Sequence, residues 1–161
     1  MSPRWTPEQY VAALKRNPSL APSEPVLAPA PKPSTEEPVR FTIPGTPCPK
    51  PRMTRRDVWK KRPCVVRYRE WADRARACAP ADLTQEPVCL NMVAYLPMPD
   101  SWPKKKREAM RGQLHRQKPD LSNICKAVED ALFERDEGIA FGTNVKRWED
   151  NHGPRVEVEV R

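Results

Sequence analysis

Proline is what first limits how this chain can fold, because nine of its 21 prolines fall within residues 1–38. Proline lacks a backbone N–H and fixes φ, so a segment this rich in it builds neither a regular helix nor an inner strand. Residues 18–38 (PSLAPSEPVLAPAPKPSTEEP) therefore read as a flexible linker of polyproline character. Ahead of it, Thr6-Pro7-Glu8 opens a short helical pattern near residues 6–15, with Thr6 as cap, Pro7 at the first helical position, and Tyr10, Val11 and Leu14 following. So short a helix does not hold alone, which makes it a docking peptide or a frayed end. The compact domain is expected over residues 39–161, a length suited to one domain.

Within that domain the apolar periodicity alternates between strand and helix. Val39 to Ile43 predicts an opening strand ended by the turn Pro44-Gly45, and Val65 or Arg67 to Cys78 predicts a helix with Tyr68, Trp71, Ala72 and Ala75 at helical spacing. Val88 to Leu96 suits a strand buried on both faces. Ser101 to Arg111 reads as a basic helix capped by Ser101, and a further helix starts at Asp120 or Ser122 and runs to about Phe133. Ile139 to Phe141 reads as a short strand, and Val156, Val158 and Val160 alternate with Glu157, Glu159 and Arg161 as a half-exposed one. The expected fold class is α/β or α+β, a small mixed sheet packed with helices.

The chain's 29 Lys and Arg against 21 Asp and Glu give a formal net charge of +8, and the excess is unevenly placed. Residues 1–38 are neutral, residues 50–76 carry +8, residues 100–126 carry +5, and residues 127–161 carry −4. Five of the acids in that last stretch fall between Glu129 and Glu137. A basic surface around a compact acidic cluster points to a polyanionic partner, nucleic acid above all. The five cysteines form no CxxC pair, which argues against a zinc ribbon and for a reducing, cytoplasmic setting. No apolar run is long enough for a membrane helix, and the N-terminus lacks the layout of a signal peptide.

On a helical wheel, Leu121, Ile124, Cys125, Val128 and Leu132 share an apolar face. Ser122, Lys126 and Glu129 gather on one flank at about 100°, 140° and 80°. Asp120 precedes the helix, where its carboxylate can cap the first amides or turn toward that flank. Asp136 and Glu137 can return to the same side if Gly138 turns the chain. Carboxylates gathered in this way suit Mg²⁺, a hard ion that takes one or two of them together with waters and phosphate oxygens. A nearby lysine supplies positive charge for the charge that develops in phosphodiester cleavage. The alternative is a helix cap beside a solvated acidic flank.

The stretch Lys118-Pro119-Asp120-Leu121-Ser122-Asn123-Ile124-Cys125-Lys126-Ala127-Val128-Glu129-Asp130-Ala131-Leu132-Phe133 closely resembles the signature of the RusA family of Holliday junction resolvases, small Mg²⁺-dependent nucleases common in phages and prophages. Phe41 to Pro47 with Pro49 to Arg52, Leu96 to Trp102 with Lys104 to Arg107, and Lys146-Arg147-Trp148 are also similar to family members, so the likeness spans residues 39 to about 150. The resemblance implies a RusA-like fold, a two-fold dimer, and Mg²⁺ with Mn²⁺ able to substitute. Carried over by position, Asp120 is the first metal ligand, Lys126 the catalytic lysine and Asp136 the later acidic residue, while Asn123 shapes the site. Ser122 departs from the pattern, standing where many members have a second catalytic aspartate. Glu129, on the same flank, is the expected replacement, so that Asp120, Glu129 and Asp136 hold the metal, with Ser122, Asn123 and Glu137 around it.

The expected partner is branched, four-way DNA, whose two-fold symmetry calls for two active sites. Expected phosphate contacts are Lys50, Arg52, Arg55, Arg56, Lys60, Lys61, Arg62, Lys104, Lys105, Lys106, Arg107 and Lys118. Trp59 and Trp102 are candidates for stacking on opened bases, with loop anchoring as the other role. Trp71 and Trp148 are assigned to the core, and His115 to a phosphate neighbour or a spectator. Two other readings stay open: a non-catalytic junction-binding homologue, favoured by Ser122 and Arg135, and an interaction module for an acidic protein.

Overall fold

The computed structural model describes residues 37–161 apart from 60 and 61, together with residues 6, 8, 12 and 15. The proline-rich linker and most of the expected short helix lie outside the described residues, as do Lys60 and Lys61. Glu8, Ala12 and Lys15 are helical.

Four strands form one mixed sheet in the order β1-β4-β2-β3: β1 (Val39–Pro44), β2 (Leu90–Leu96), β3 (Asn144–Trp148) and β4 (Arg155–Val160). The two neighbours of β4, β1 and β2, both run antiparallel to it, whereas β2 and β3 are parallel. Helices α1 (Pro63–Cys78) and α3 (Leu121–Leu132) pack on each other and cover one face of the sheet. Beneath them Ile43, Leu90, Met92, Ala94, Val156, Val158 and Val160 are buried, which explains the strict valine alternation in β4. Ala72, Ala75, Ala127 and Ala131 are buried in the helical layer, small enough to let the helices approach closely. A short helix, α2 (Lys104–Met110), buries none of its residues. The fold is thus the expected α+β arrangement.

Several boundaries differ from the sequence reading for identifiable reasons. The first helix begins at Pro63, because proline is tolerated at the first helical position. Ser101 does not cap the basic helix: Pro103 is the capping residue, and the residue before a proline avoids helical geometry, which leaves Ser101 and Trp102 in a turn. Regular pairing of β2 starts at Leu90, and the strand is buried on one face only, with Asn91, Val93 and Tyr95 half-covered, since neither α1 nor α3 lies on that side. Ile139 to Phe141 is not a strand but makes a single bridge from Phe141 to Cys89. The strand that follows, β3, escaped the sequence reading because an edge strand buries little, here Trp148 alone. On α3 the buried face is centred on Ile124, Ala127, Val128 and Ala131, with Leu121 and Cys125 only partly covered.

Gly142 makes the crossing into β3 possible. A Cβ at this position would lie 1.9 Å from the Leu90 carbonyl oxygen. Gly142→Ala is accordingly expected to cost about 1–3 kcal/mol of stability, read as a lower urea midpoint with an unchanged denaturant slope.

Candidate active site

Asp120 is the residue at the N-terminal cap of α3, in extended geometry (φ −68, ψ 140), yet its carboxylate makes no capping hydrogen bond. It is exposed, and it lines a groove of about 1030 Å³ together with Lys50, Arg67, Arg74, Lys118 and Asn123. The side chain is therefore free for a ligand and is not consumed by the helix end. The preceding Lys118-Pro119 peptide bond is cis. Lys146, in β3, donates from Nζ to the carbonyls of Gln117 and Pro119, both at 2.6 Å, and so fastens the turn that delivers Asp120.

Two turns along α3, Lys126 Nζ lies 2.5 Å from Asp136 Oδ2 and 3.7 Å from Glu129 Oε2. Asp136 does return to the flank of α3, with Lys126 joining it to Glu129. The ammonium holds the Asp136 carboxyl below the usual carboxylate range, and Asp136 in turn raises Lys126. Glu129 is pushed upward, first by burial and further by the charges of Asp136 and Asp130, against an opposing pull from Lys126. Burial and Glu129 also lift the Cys125 thiol to about 11, which removes it as a nucleophile.

Asp130, next round the helix, pairs with Lys50 and accepts a hydrogen bond from Tyr68 OH at 3.4 Å. The Lys50 amide donates to the Asn123 carbonyl at 2.9 Å, which docks the loop after β1 onto α3. Ser122 and Glu137 are exposed, and no side-chain bond or ion pair holds either of them. Among the described residues no three His, Cys, Asp or Glu are gathered into a metal cage. The structure thus brings Lys126, Glu129 and Asp136 together and leaves Asp120 apart from them. The donor set is nonetheless of the right chemistry for a hard divalent cation: carboxylate oxygens only, with Asp120 uncommitted.

The basic stretches divide into structural and free cations. Asp57 is almost fully buried, accepts bonds from the Thr54 amide and hydroxyl (2.6 and 2.9 Å), and takes a two-pronged contact from Arg62 (2.5 and 2.7 Å). Its carboxyl is driven down to about 2, chiefly by the Arg62 hydrogen bonds. Arg62 also holds the Arg52 carbonyl at 2.8 Å, so it builds the loop that displays its neighbours. The side chains of Arg52, Arg55, Arg56, Lys104, Lys105 and Lys118 are exposed and make no ion pair with described residues. Arg107 sits 3.8 Å from Glu149, and Lys106 lies over the Trp102 ring at 4.0 Å.

Trp102 packs on the core edge against buried Trp148 at 4.8 Å, whereas Trp59 is 85% exposed. Trp71 is buried, as expected. His115, read as a phosphate neighbour or a spectator, is not beside a phosphate-facing surface: it is buried against Trp148 at 4.0 Å, and its Nδ1 accepts from the Gln117 amide at 3.3 Å. Burial and then the Lys146 charge lower its pKa. Asp130, Tyr68 and Lys146 were missed as site residues. The Asp-Ala-Leu and Lys-Arg-Trp stretches had marked two of them.

A one-sided α+β sheet with a lysine-and-carboxylate site at one helix, edged by free cations, defines a class of protein that handles nucleic-acid phosphates. The family model described as Endodeoxyribonuclease RusA matches residues 44–161, and the chain belongs to that family of Holliday junction resolvases. No curated protein and no solved structure matches it. No helix among the described residues is long and apolar enough to cross a membrane.

Two expectations follow from this geometry. The lowered pKa of His115 means that the unfolded chain takes up the proton first. Its contribution to stability is therefore complete above the ordinary value of about 6.5 and is lost as pH falls through that value toward the folded one. His115→Phe, which keeps a ring on Trp148, should flatten the fall in urea midpoint between about pH 7.5 and pH 5.5. Asp57→Asn should loosen the loop and lower DNA affinity several-fold in fluorescence anisotropy, while the cutting rate at saturating protein stays near that of the unsubstituted chain.

Proposed function

We propose that this chain is a divalent-metal-dependent, structure-selective endodeoxyribonuclease that resolves four-way DNA junctions by paired symmetric cuts, acting as a two-fold dimer in the cytosol. The nuclease domain is residues 39–161, with residues 1–38 an extension to it. The observation that carries this reading is the Asp120 carboxylate, which stands at the head of α3 without capping it and lines a groove rimmed by Lys50, Arg67, Arg74 and Lys118.

Asp120, Asp136 and Glu129 would hold Mg²⁺, or Mn²⁺ in its place, which would supply Lewis acidity toward the phosphate and toward an attacking water. Lys126 Nζ lies 2.5 Å from Asp136 Oδ2 and 3.7 Å from Glu129 Oε2, beside the proposed metal ligands. Its ammonium offsets the charge that develops on the phosphate and the leaving 3′ oxygen. Asn123 anchors the Lys50 loop through its carbonyl. Arg52, Arg55, Arg56, Lys104 and Lys105 position the backbone without reading sequence. Exposed Trp59 offers a ring for bases opened at the crossover.

One observation favours a second reading, a junction-binding homologue that does not cut. Ser122 presents a neutral hydroxyl where many family members have a carboxylate. The two readings separate on a synthetic four-way junction with Mg²⁺ or Mn²⁺. Symmetric nicks that vanish in Asp120→Asn are expected, and tight binding with no nicks would establish the second reading. Glu129→Gln should lower the single-turnover rate as far as Asp120→Asn does; full activity in that variant would remove Glu129 from the metal site.

A further inference from the structure

We propose that Lys146 is the positioning residue for Asp120, holding the turn before α3 so that the carboxylate faces the groove instead of folding back as a cap. This rests on the reading of Asp120 as a metal ligand. β3 is the edge of the sheet, paired only with β2. Along its open side residues 113–115 run as an irregular extra strand, with Trp148 N donating to Gln113 O and His115 N to Lys146 O, both at 2.9 Å. The Lys146 side chain continues this contact, reaching the carbonyls of Gln117 and Pro119 on either side of Lys118. Apart from the first helical bond, Ile124 N to Asp120 O at 3.4 Å, no backbone–backbone hydrogen bond among the described residues holds residues 118–120. Proline at 119 has no N–H to contribute.

The simpler reading, a half-buried lysine satisfying spare carbonyls, fails to account for two features. Lys146 makes no ion pair with any described residue, although acids are plentiful in this half of the chain, so its charge is left unneutralised one residue behind Asp120. And Asp120, which directly follows the Pro119 carbonyl held by this clamp, lacks the capping bond that its residue type and position favour. Outer-shell groups that orient a ligand commonly change metal affinity or rate by about 10- to 100-fold when removed.

The test uses full-length protein carrying Lys146→Met or Lys146→Gln, with Asp120→Asn as reference. Mn²⁺ binding without DNA is followed by electron paramagnetic resonance, and hydrogen exchange is followed in peptides spanning residues 117–124. Lys146→Met is expected to weaken Mn²⁺ binding about tenfold or more, approaching Asp120→Asn, with faster exchange across 117–124 and metal-free junction affinity little changed. Lys146→Gln, which keeps donors, should fall between Lys146→Met and the unsubstituted chain, and it replaces Lys146→Met if the latter does not fold. A folded variant that binds Mn²⁺ and exchanges like the unsubstituted protein overturns the proposal. So does a variant that loses junction affinity alone, which would make Lys146 a phosphate contact. If the unsubstituted chain neither binds Mn²⁺ nor cuts, the metal reading falls, and the exchange data alone then decide whether Lys146 holds the turn.

Discussion

Carboxylates crowded on one helix flank repel one another, and on α3 that repulsion is offset by two ammonium groups that reach in from opposite directions. Lys126 comes from the helix itself and spans Asp136 and Glu129; Lys50 comes from the loop after β1 and meets Asp130. The second contact does more than cancel charge. Together with the Lys50 amide on Asn123 and the Tyr68 hydroxyl on Asp130, it ties the β1 loop, α1 and α3 into one unit at the point where the groove opens. The walls of the groove are thus set by the same ion pairs that keep the acids in place.

The remaining charge follows the same separation. Along the polar row of β4, away from the helices, Arg40 and Arg161 meet Glu159, and Arg155 meets Glu157 and Asp150 while covering the Tyr95 ring. Those three arginines are balanced by three acids, so this row adds nothing to the net charge. The excess stands in Arg52, Arg55 and Arg56 of the loop organised by buried Asp57 and in Lys104 and Lys105 at the start of α2, none of which makes an ion pair with a described residue. Dense phosphate is attracted to such unpaired charge and gains by releasing its counterions there.

How much of this was legible in the sequence depended on how local each interaction is. The valines of β4 and the stripe on α3 show periodicity because each element packs against a continuous core. Asp120, Lys126 and Asp136 stand out as candidates in the sequence because spacing and the family motif lie in one stretch of chain. β3 was hidden because an edge strand buries one residue in five, leaving no alternation to read. Lys146 and the partner of Asp130 were hidden for a different reason: each acts on a segment distant in sequence, and only the parallel pairing of β2 with β3 and the docking of the β1 loop bring them together. For Trp102 the sequence left base stacking and loop anchoring open, and for His115 a phosphate neighbour or a spectator; their ring contacts with Trp148, distant in sequence, decide for packing.

The serine at 122 gains meaning from the charge balance. Glu129 and Asp136 face Lys126, and Asp130 faces Lys50, so three carboxylates meet two ammonium groups on this flank. An aspartate at 122 would add a further carboxylate to a flank where burial and neighbouring acids already raise the Glu129 pKa. With serine there, Glu129 is spared the additional upward push that another nearby carboxylate would give.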